Sequence, residues 1–278
     1  MSGDPSVGSP DERRRVRVVR SGEGTRAPGP WSALGVTWAV TREHVGSRQV
    51  CGGWFAWPAD GEPRWRGGFD AECGWYVTAG ALDVSWRHAP APGEARLVRG
   101  TFCYVPPGTV IDVRSDGARG LVVFGGASSP ADIAVTPDRP TDADGDRSPW
   151  IAHVDELASD RDYEPPLDMR WAVTAELGGA RALCGARTLN PPRGRIQHHY
   201  HDGVEAVIFF LGGFRILSGP DREPIDVGPG DLAYIAPGTL HSYCSIHTDS
   251  PAEEVAFYGG IASKDMAATV FVEPRWSS

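Results

Sequence analysis

Lysine is all but missing from this 278-residue chain: Lys264 is the only one, and arginine supplies the other basic residues. That skew reads as coding bias and carries no functional weight. Cysteine is sparse too, with five residues, an odd number, and no CxxC spacing. Such a set fits reduced thiols in a core better than a disulfide or zinc framework. There is no apolar run long enough to span a bilayer, and the opening MSGDPSVGSPDERRR has no hydrophobic signal core. The expected localisation is cytoplasmic, with no membrane partner. A basic cluster is also absent, and the net charge of −9 repels nucleic acid and anionic lipid alike. The stretch before Trp31 is too short and too rich in Gly and Pro to hold a DNA-binding helical unit. What remains is a small molecule as the partner.

The chain does have a core: 41% of its residues are hydrophobic and ten are Trp, enough for one large or two ordinary domains. Its most informative stretch runs from Gly194 to Gly213, GRIQHHYHDGVEAVIFFLGG. Alternate side chains of a β-strand share a face, so His199 and His201 can reach one ion, while His198 points the other way as a solvent-facing or supporting residue. Asp202 and Gly203 form a bend, after which Glu205 opens an apolar run to Leu211. A hairpin here would set the carboxylate beside the two imidazoles. Farther on, Gly228 to Asp231 and Pro237–Gly238 are turns around a strand from Leu232 to Ala236, and His241 begins the next strand. A lone strand histidine is ordinarily a hydrogen-bonded or surface residue. Three imidazoles and a carboxylate at these spacings instead suit one divalent transition metal.

The stretch resembles the first cupin motif, His-x-His followed by Glu and then Gly, and Gly230 to His241 resembles the second, which ends Pro-x-Gly-x-x-His. The one departure is Ala236 where the motif has proline; Pro237 and Gly238 keep the turn. The resemblance implies an all-β fold of jelly-roll (double-stranded β-helix) type, with His199, His201, Glu205 and His241 as metal ligands inside the barrel.

An internal repeat doubles this architecture. Trp-Ala-Val-Thr occurs at Trp38 to Thr41 and at Trp171 to Thr174, an offset of 171 − 38 = 133. The same offset pairs Glu43 with Glu176, Gly46 with Gly179, Arg48 with Arg181, Cys51 with Cys184, Pro58 with Pro191 and Glu72 with Glu205. With small shifts, the stretch from Gly100 parallels that from Gly230, and Phe124–Gly126 parallels Tyr258–Gly260. The reading is two tandem cupin barrels: a disordered tail over 1–14, a first barrel over 15–130, a linker over 131–148 and a second barrel over 149–278. Residues 160–168 read as a loop. At the fixed offset His199 falls on Arg66 and His201 on Gly68, and in the shifted stretch that starts at Gly100 His241 falls on Ile111, so the first barrel is expected to be metal-free. Glu72 is then a hydrogen-bonding or solvent residue rather than a ligand and could pair with Arg66, and Arg48, Arg181, Cys51 and Cys184 serve the fold. Trp54, Trp57, Trp65, Trp75 and Trp86 read as core fillers of that barrel ahead of a ligand cage or an interface with the second barrel.

Strand parity gives the second barrel a pocket. Gln197 points inward as a substrate contact or weak ligand, Tyr243 as a group that holds a proton or a substrate oxygen, and Val207, Phe209 and Leu211 as an apolar wall. Tyr234 reads as core, and Arg195 as an anion contact or a rim residue in solvent. The functional expectation is a metal-dependent small-molecule enzyme with one metal per chain. Fe(II) and dioxygenation of a phenolic or enolic compound lead; a Lewis-acid hydrolase, isomerase, cyclase or decarboxylase on Mn(II), Ni(II) or Zn(II), similar to ureidoglycine aminohydrolase, is the alternative. A binding protein without turnover is a third reading. Duplication already pairs two barrels in one chain, so monomer and homodimer are both compatible with it.

Overall fold

The structure is a computed structural model and describes residues 15–26, 29–58, 65–87, 91–136 and 147–272. The tail over 1–14 and the linker residues 137–146 lie outside the described residues. The chain folds almost entirely into antiparallel strands, as alternating apolar segments separated by Gly and Pro turns require. Each half is a barrel with its own apolar interior, and a third cluster lies between the two.

In the second half, two sheets face each other. One holds, in order, Arg17–Val19, Leu232–Ile235, Glu205–Phe210, Ala252–Gly259, Leu183–Asn190 and Asp168–Val173. The other holds Glu223–Val227, Phe214–Ser218, His241–Ser245, His199–His201 and Thr269–Phe271. In the first half the 15-residue strands Glu72–Trp86 and Ile111–Gly125 bend across both layers, so the sheet is continuous.

The leading strand of each half crosses to its neighbour. Arg17 pairs with Tyr234 of the second barrel, and Trp150 pairs with Tyr104 of the first. This corrects the boundaries read from the sequence, which kept each strand with its own half. A short strand cannot be stable alone, and the open edge of the opposite sheet supplies the ladder it lacks. The linker also begins inside the first barrel, where Val135 and Thr136 pair with Phe69 and Gly68.

The repeated residues build the joint between barrels. After Trp38–Val40, Thr41 caps a single helical turn, Arg42–Val45, which Gly46 ends at φ 75°; Thr174 and Gly179 (φ 70°) do the same in the second repeat. The loop that follows aims its amides at the other barrel. Glu205 accepts from Ser47 Oγ at 2.7 Å, Arg48 N at 2.8 Å and Gln49 N at 2.9 Å. Reciprocally, Glu72 accepts from Arg181 N at 2.7 Å and Ala182 N at 2.9 Å. A Cβ on Gly125 would lie 2.6 Å from Ala182 O, and one on Gly259 2.7 Å from Val50 Cβ, so only glycine permits this approach. Around the clamp, Val207 and Phe209 pack with Val50, Tyr76 and Phe102 in the interbarrel cluster.

The first barrel is filled by rings. Trp31 stacks on Phe69 at 5.7 Å and meets Trp38 edge-on at 5.1 Å; Trp57, Trp65 and Trp75 are buried in the same cluster. Trp54 and Trp86 are the exceptions to the core expectation. Trp54 is half-buried and donates to Gly230 O of the second barrel, and Trp86 sits at a strand end, bonded to Ala91 O.

Candidate metal centre

His199 and His241 are directly opposite each other on paired antiparallel strands, and His201 lies two residues on, on the same face. One ring nitrogen from each lies within 4.8 Å of the others. The remaining nitrogens are tied to main chain: Nδ1 of His199 to Gln197 O at 2.8 Å, of His201 to Ala267 O at 3.2 Å and of His241 to Thr239 O at 2.9 Å. A carbonyl only accepts, so Nδ1 carries the proton in each ring and Nε2 keeps its lone pair. Burial pushes His201 down to about 3 and His241 well below the ordinary imidazole range, with the neighbouring His199 adding to both. Three desolvated rings with converging lone pairs and carbonyl-fixed tautomers are what a divalent metal requires of imidazole. Among the described residues this is the one cluster of three or more such side chains.

Glu205 does not join them. The hairpin expected between His201 and Glu205 does not form, because the chain leaves one sheet after His201 and enters the other at Glu205. On that sheet Glu205, Val207 and Phe209 face the first barrel, while Ala206, Ile208 and Phe210 face the interior. The apolar wall is therefore made by the residues of opposite parity to those expected. Instead of Glu205, a carboxylate absent from the candidate ligands reaches the imidazoles. Glu164, in the loop before the strand Asp168–Val173, is 3% exposed and has Oε1 3.8 Å from His199 Nε2. Its other partner is the Thr269 hydroxyl at 3.3 Å, which also lies 3.2 Å from His201 Nδ1. Burial raises its pKa, and His199 opposes that rise. The repeat holds a signal for Glu164: 164 − 133 = 31, so a charge stands where the first barrel has the buried Trp31.

Gln197 and Tyr243 are both buried, as parity implies. Tyr243 donates its hydroxyl proton to Glu254, a carboxyl missed in the sequence. Glu254 Oε2, Thr188 Oγ1 and both side-chain polar atoms of Asn190 are buried without a protein partner. Thr188 and Asn190 share a strand face with Cys184 and Ala186, and Glu254 with Ala252 and Ala256, all four of which line the barrel interior. Arg195 is exposed at the rim. His198 faces away from the three rings and is buried rather than solvated, bonded to Gly219 O and Ser242 Oγ. Tyr234 is core, and burial, with Glu205 beside it adding to the effect, raises its pKa. A surface cleft of about 590 Å³ lined by Trp150, Leu157, Trp171 and Lys264 contains none of the imidazoles.

Burial lifts Glu254 from 4.5 to about 8, the Tyr243 hydrogen bond opposing it. The folded state thus holds a proton that the unfolded chain has released. The resulting stability is complete below pH 4.5 and is lost as pH rises towards 8. Glu254→Gln is expected to remove this loss, so that urea unfolding at pH 8 and at pH 5 shows the variant gaining several kcal/mol, on the order of 1.4 per pH unit crossed, relative to the native chain.

In the first barrel, strand register replaces the fixed offset. Gly67 pairs with Ile111 as His199 pairs with His241, which places Gly67, Phe69 and Ile111 at the three imidazole positions. The expected counterparts Arg66 and Gly68 are one residue out of step, and such a slip exchanges the faces of a strand. Arg66 is exposed, 3.9 Å from Asp112 rather than on Glu72.

The architecture and the placement of the histidines define a two-barrel cupin fold. Oxalate decarboxylase from Bacillus subtilis, solved at pH 4.6, superposes with a TM-score of 0.66 at 12% identity over 85% of this chain and 74% of that one. Its SENS161-164DSSN variant gives 0.69 at 12% identity over 92% and 79%. A further study of the same enzyme, with 85% and 74% coverage and a TM-score of 0.66, concerns its Mn(II) centres. No family model and no curated protein matches the sequence.

Proposed function

We propose that the second barrel binds one divalent transition metal on His199, His201 and His241, and that the protein is a metal-dependent enzyme acting on a small carboxylic acid by proton-transfer chemistry of the decarboxylase kind. The observation that carries this reading is the polar interior. A metal in this set supplies Lewis-acid polarisation of a substrate oxygen. In the same barrel, Asn190 and Thr188 offer unpartnered donors suited to carboxylate oxygens, and Glu254 holds a proton at neutral pH beside Tyr243. Leaving such groups unpaired in a dry core costs about 1–3 kcal/mol each, a cost that a polar substrate offsets. Likeness to an enzyme whose name states decarboxylation and whose centres are Mn(II) supports the same reading. Dioxygenation on Fe(II) is the second reading; the converging imidazoles serve it equally, but the buried carboxyl groups have no evident task in it.

The deciding experiment reconstitutes the chain with Mn(II) or Fe(II) and follows CO2 release and O2 uptake with short mono- and dicarboxylic acids and with catechols. CO2 release without net O2 uptake is expected with Mn(II). Stoichiometric O2 uptake with Fe(II) and a catechol would replace the proposal with the dioxygenase. Chelation is expected to lower the thermal midpoint, since a ligand at 100 times its Kd stabilises by about 2.7 kcal/mol.

A further inference from the structure

We propose that Glu164, not Glu205, is the carboxylate ligand that completes the three-histidine centre. The inference rests on the reading above that His199, His201 and His241 bind a metal, and concerns which acid joins them. Two ligand atoms that each lie about 2.1 Å from one ion are at most about 4.2 Å apart. The 3.8 Å between Glu164 Oε1 and His199 Nε2 satisfies that limit. Glu164 stands outside the mutual 4.8 Å set of the rings, so its side chain turns from His199 towards His201 and His241 when it ligates.

Three independent features favour this carboxylate. Glu164 is buried with a single 3.3 Å hydroxyl as its hydrogen-bond donor, and a carboxylate so placed is costly unless a cation compensates it. The Thr269 hydroxyl ties it to the face of the site, since Thr269 also contacts His201 Nδ1 and Tyr163 Oη. Glu205, by contrast, already accepts three hydrogen bonds from the first barrel. Its repeat partner Glu72 accepts the equivalent pair in a barrel that has Gly67, Phe69 and Ile111 in place of the imidazoles. The clamp accounts for this glutamate in both halves without any metal. Where the second repeat has Glu164, the first has Trp31 packed against Phe69, itself at the His201 position. Ring and ion are alternative fillings of one space.

Because Glu164 rides on the loop between Trp150–His153 and Asp168–Val173, ligation also pins that loop. Contacts that already hold the loop include the Asp160–Met169 backbone pair, the 2.6 Å Asp160–Lys264 ion pair and the packing of Tyr163 on Trp171.

The test titrates Mn(II) into the metal-free full chain and the variants E164Q, E205Q and H241A, reading free Mn(II) by electron paramagnetic resonance and the line shape of the bound ion. E164Q is expected to bind at least about 10-fold more weakly, with a changed bound spectrum, and Mn(II) is expected to slow amide exchange over 158–167 in the native chain and E205Q but not in E164Q. E205Q is expected to match the native chain in both readouts. Unchanged affinity and spectrum in E164Q would overturn the proposal, and weakening confined to E205Q would return the ligand to the motif position. Native affinity in H241A would instead bring down the three-histidine reading itself, a distinct failure. Metal-free E164Q is expected to unfold at or above the native midpoint, because it loses a buried charge; a lower midpoint together with weak binding counts against ligation.

Discussion

A His241→Ala chain is expected to lose metal affinity by at least about 100-fold, because removing a partner that merely orients a metal-bound histidine already costs 10- to 100-fold. His241 is 1% exposed, its ring centroid lies 4.2 Å from that of His199, and its Nδ1 proton is committed to Thr239 O, so no neighbouring imidazole can take its place. Elemental analysis after reconstitution and exhaustive dialysis reads the effect directly: about one metal per native chain, and close to none in the variant. His198→Ala serves as the matched control. Its ring is buried as well but is bonded to Gly219 O and Ser242 on the far side of the strand. It should cost stability and leave metal content intact. Equal metal in the native and His241→Ala chains would refute the site.

Glu205→Ala is expected to destabilise the chain by about 3–5 kcal/mol, the cost of breaking a buried charge-assisted network, while metal content stays at the native value. The variant takes the acceptor from the amides of Arg48 and Gln49 and leaves Ser47 Oγ only Val50 O, beside the interbarrel cluster. Glu72→Ala removes two bonds of the reciprocal half and is expected to cost less, about 2–3 kcal/mol. Both acids hold the same interface, so the double variant should fall short of the sum: once one half of the clamp has loosened the barrels, the other half has less to lose. Denaturant unfolding of the four chains measures this coupling. Metal loss on Glu205→Ala without loss of stability would reverse the assignment of Glu205.

The motif histidines were legible because their chemistry depends only on strand parity: two residues apart on one strand, three imidazoles at motif spacing. Glu205 was not, because its role depends on which sheet the chain enters after Gly203. One change of layer turns the same alternation from the barrel interior to the joint, and carries Val207 and Phe209 with it. Glu164 and Glu254 were missed for a related reason. Neither belongs to a spaced motif, and a glutamate in a loop, or one of two adjacent in a strand as Glu253 and Glu254 are, reads as solvated until folding buries it.

Duplication likewise announced itself through identities at one offset, and those identities proved to be parts of the clamp: the capping threonines, the left-handed glycines, and the glutamates facing the Arg48 and Arg181 amides. The strand exchange of Arg17–Val19 and Trp150–His153 left no trace in the residues, since a three- or four-residue strand pairs with whichever edge is open. Local patterning settled the all-β character, the two-fold repeat and the three imidazoles, because these follow from side-chain alternation and turn chemistry within a few residues. Only the tertiary structure decided which carboxylate faces the imidazoles and which clamps the barrels together, because burial and partners are set by segments more than a hundred residues apart, as Glu205 and the Ser47–Gln49 loop are.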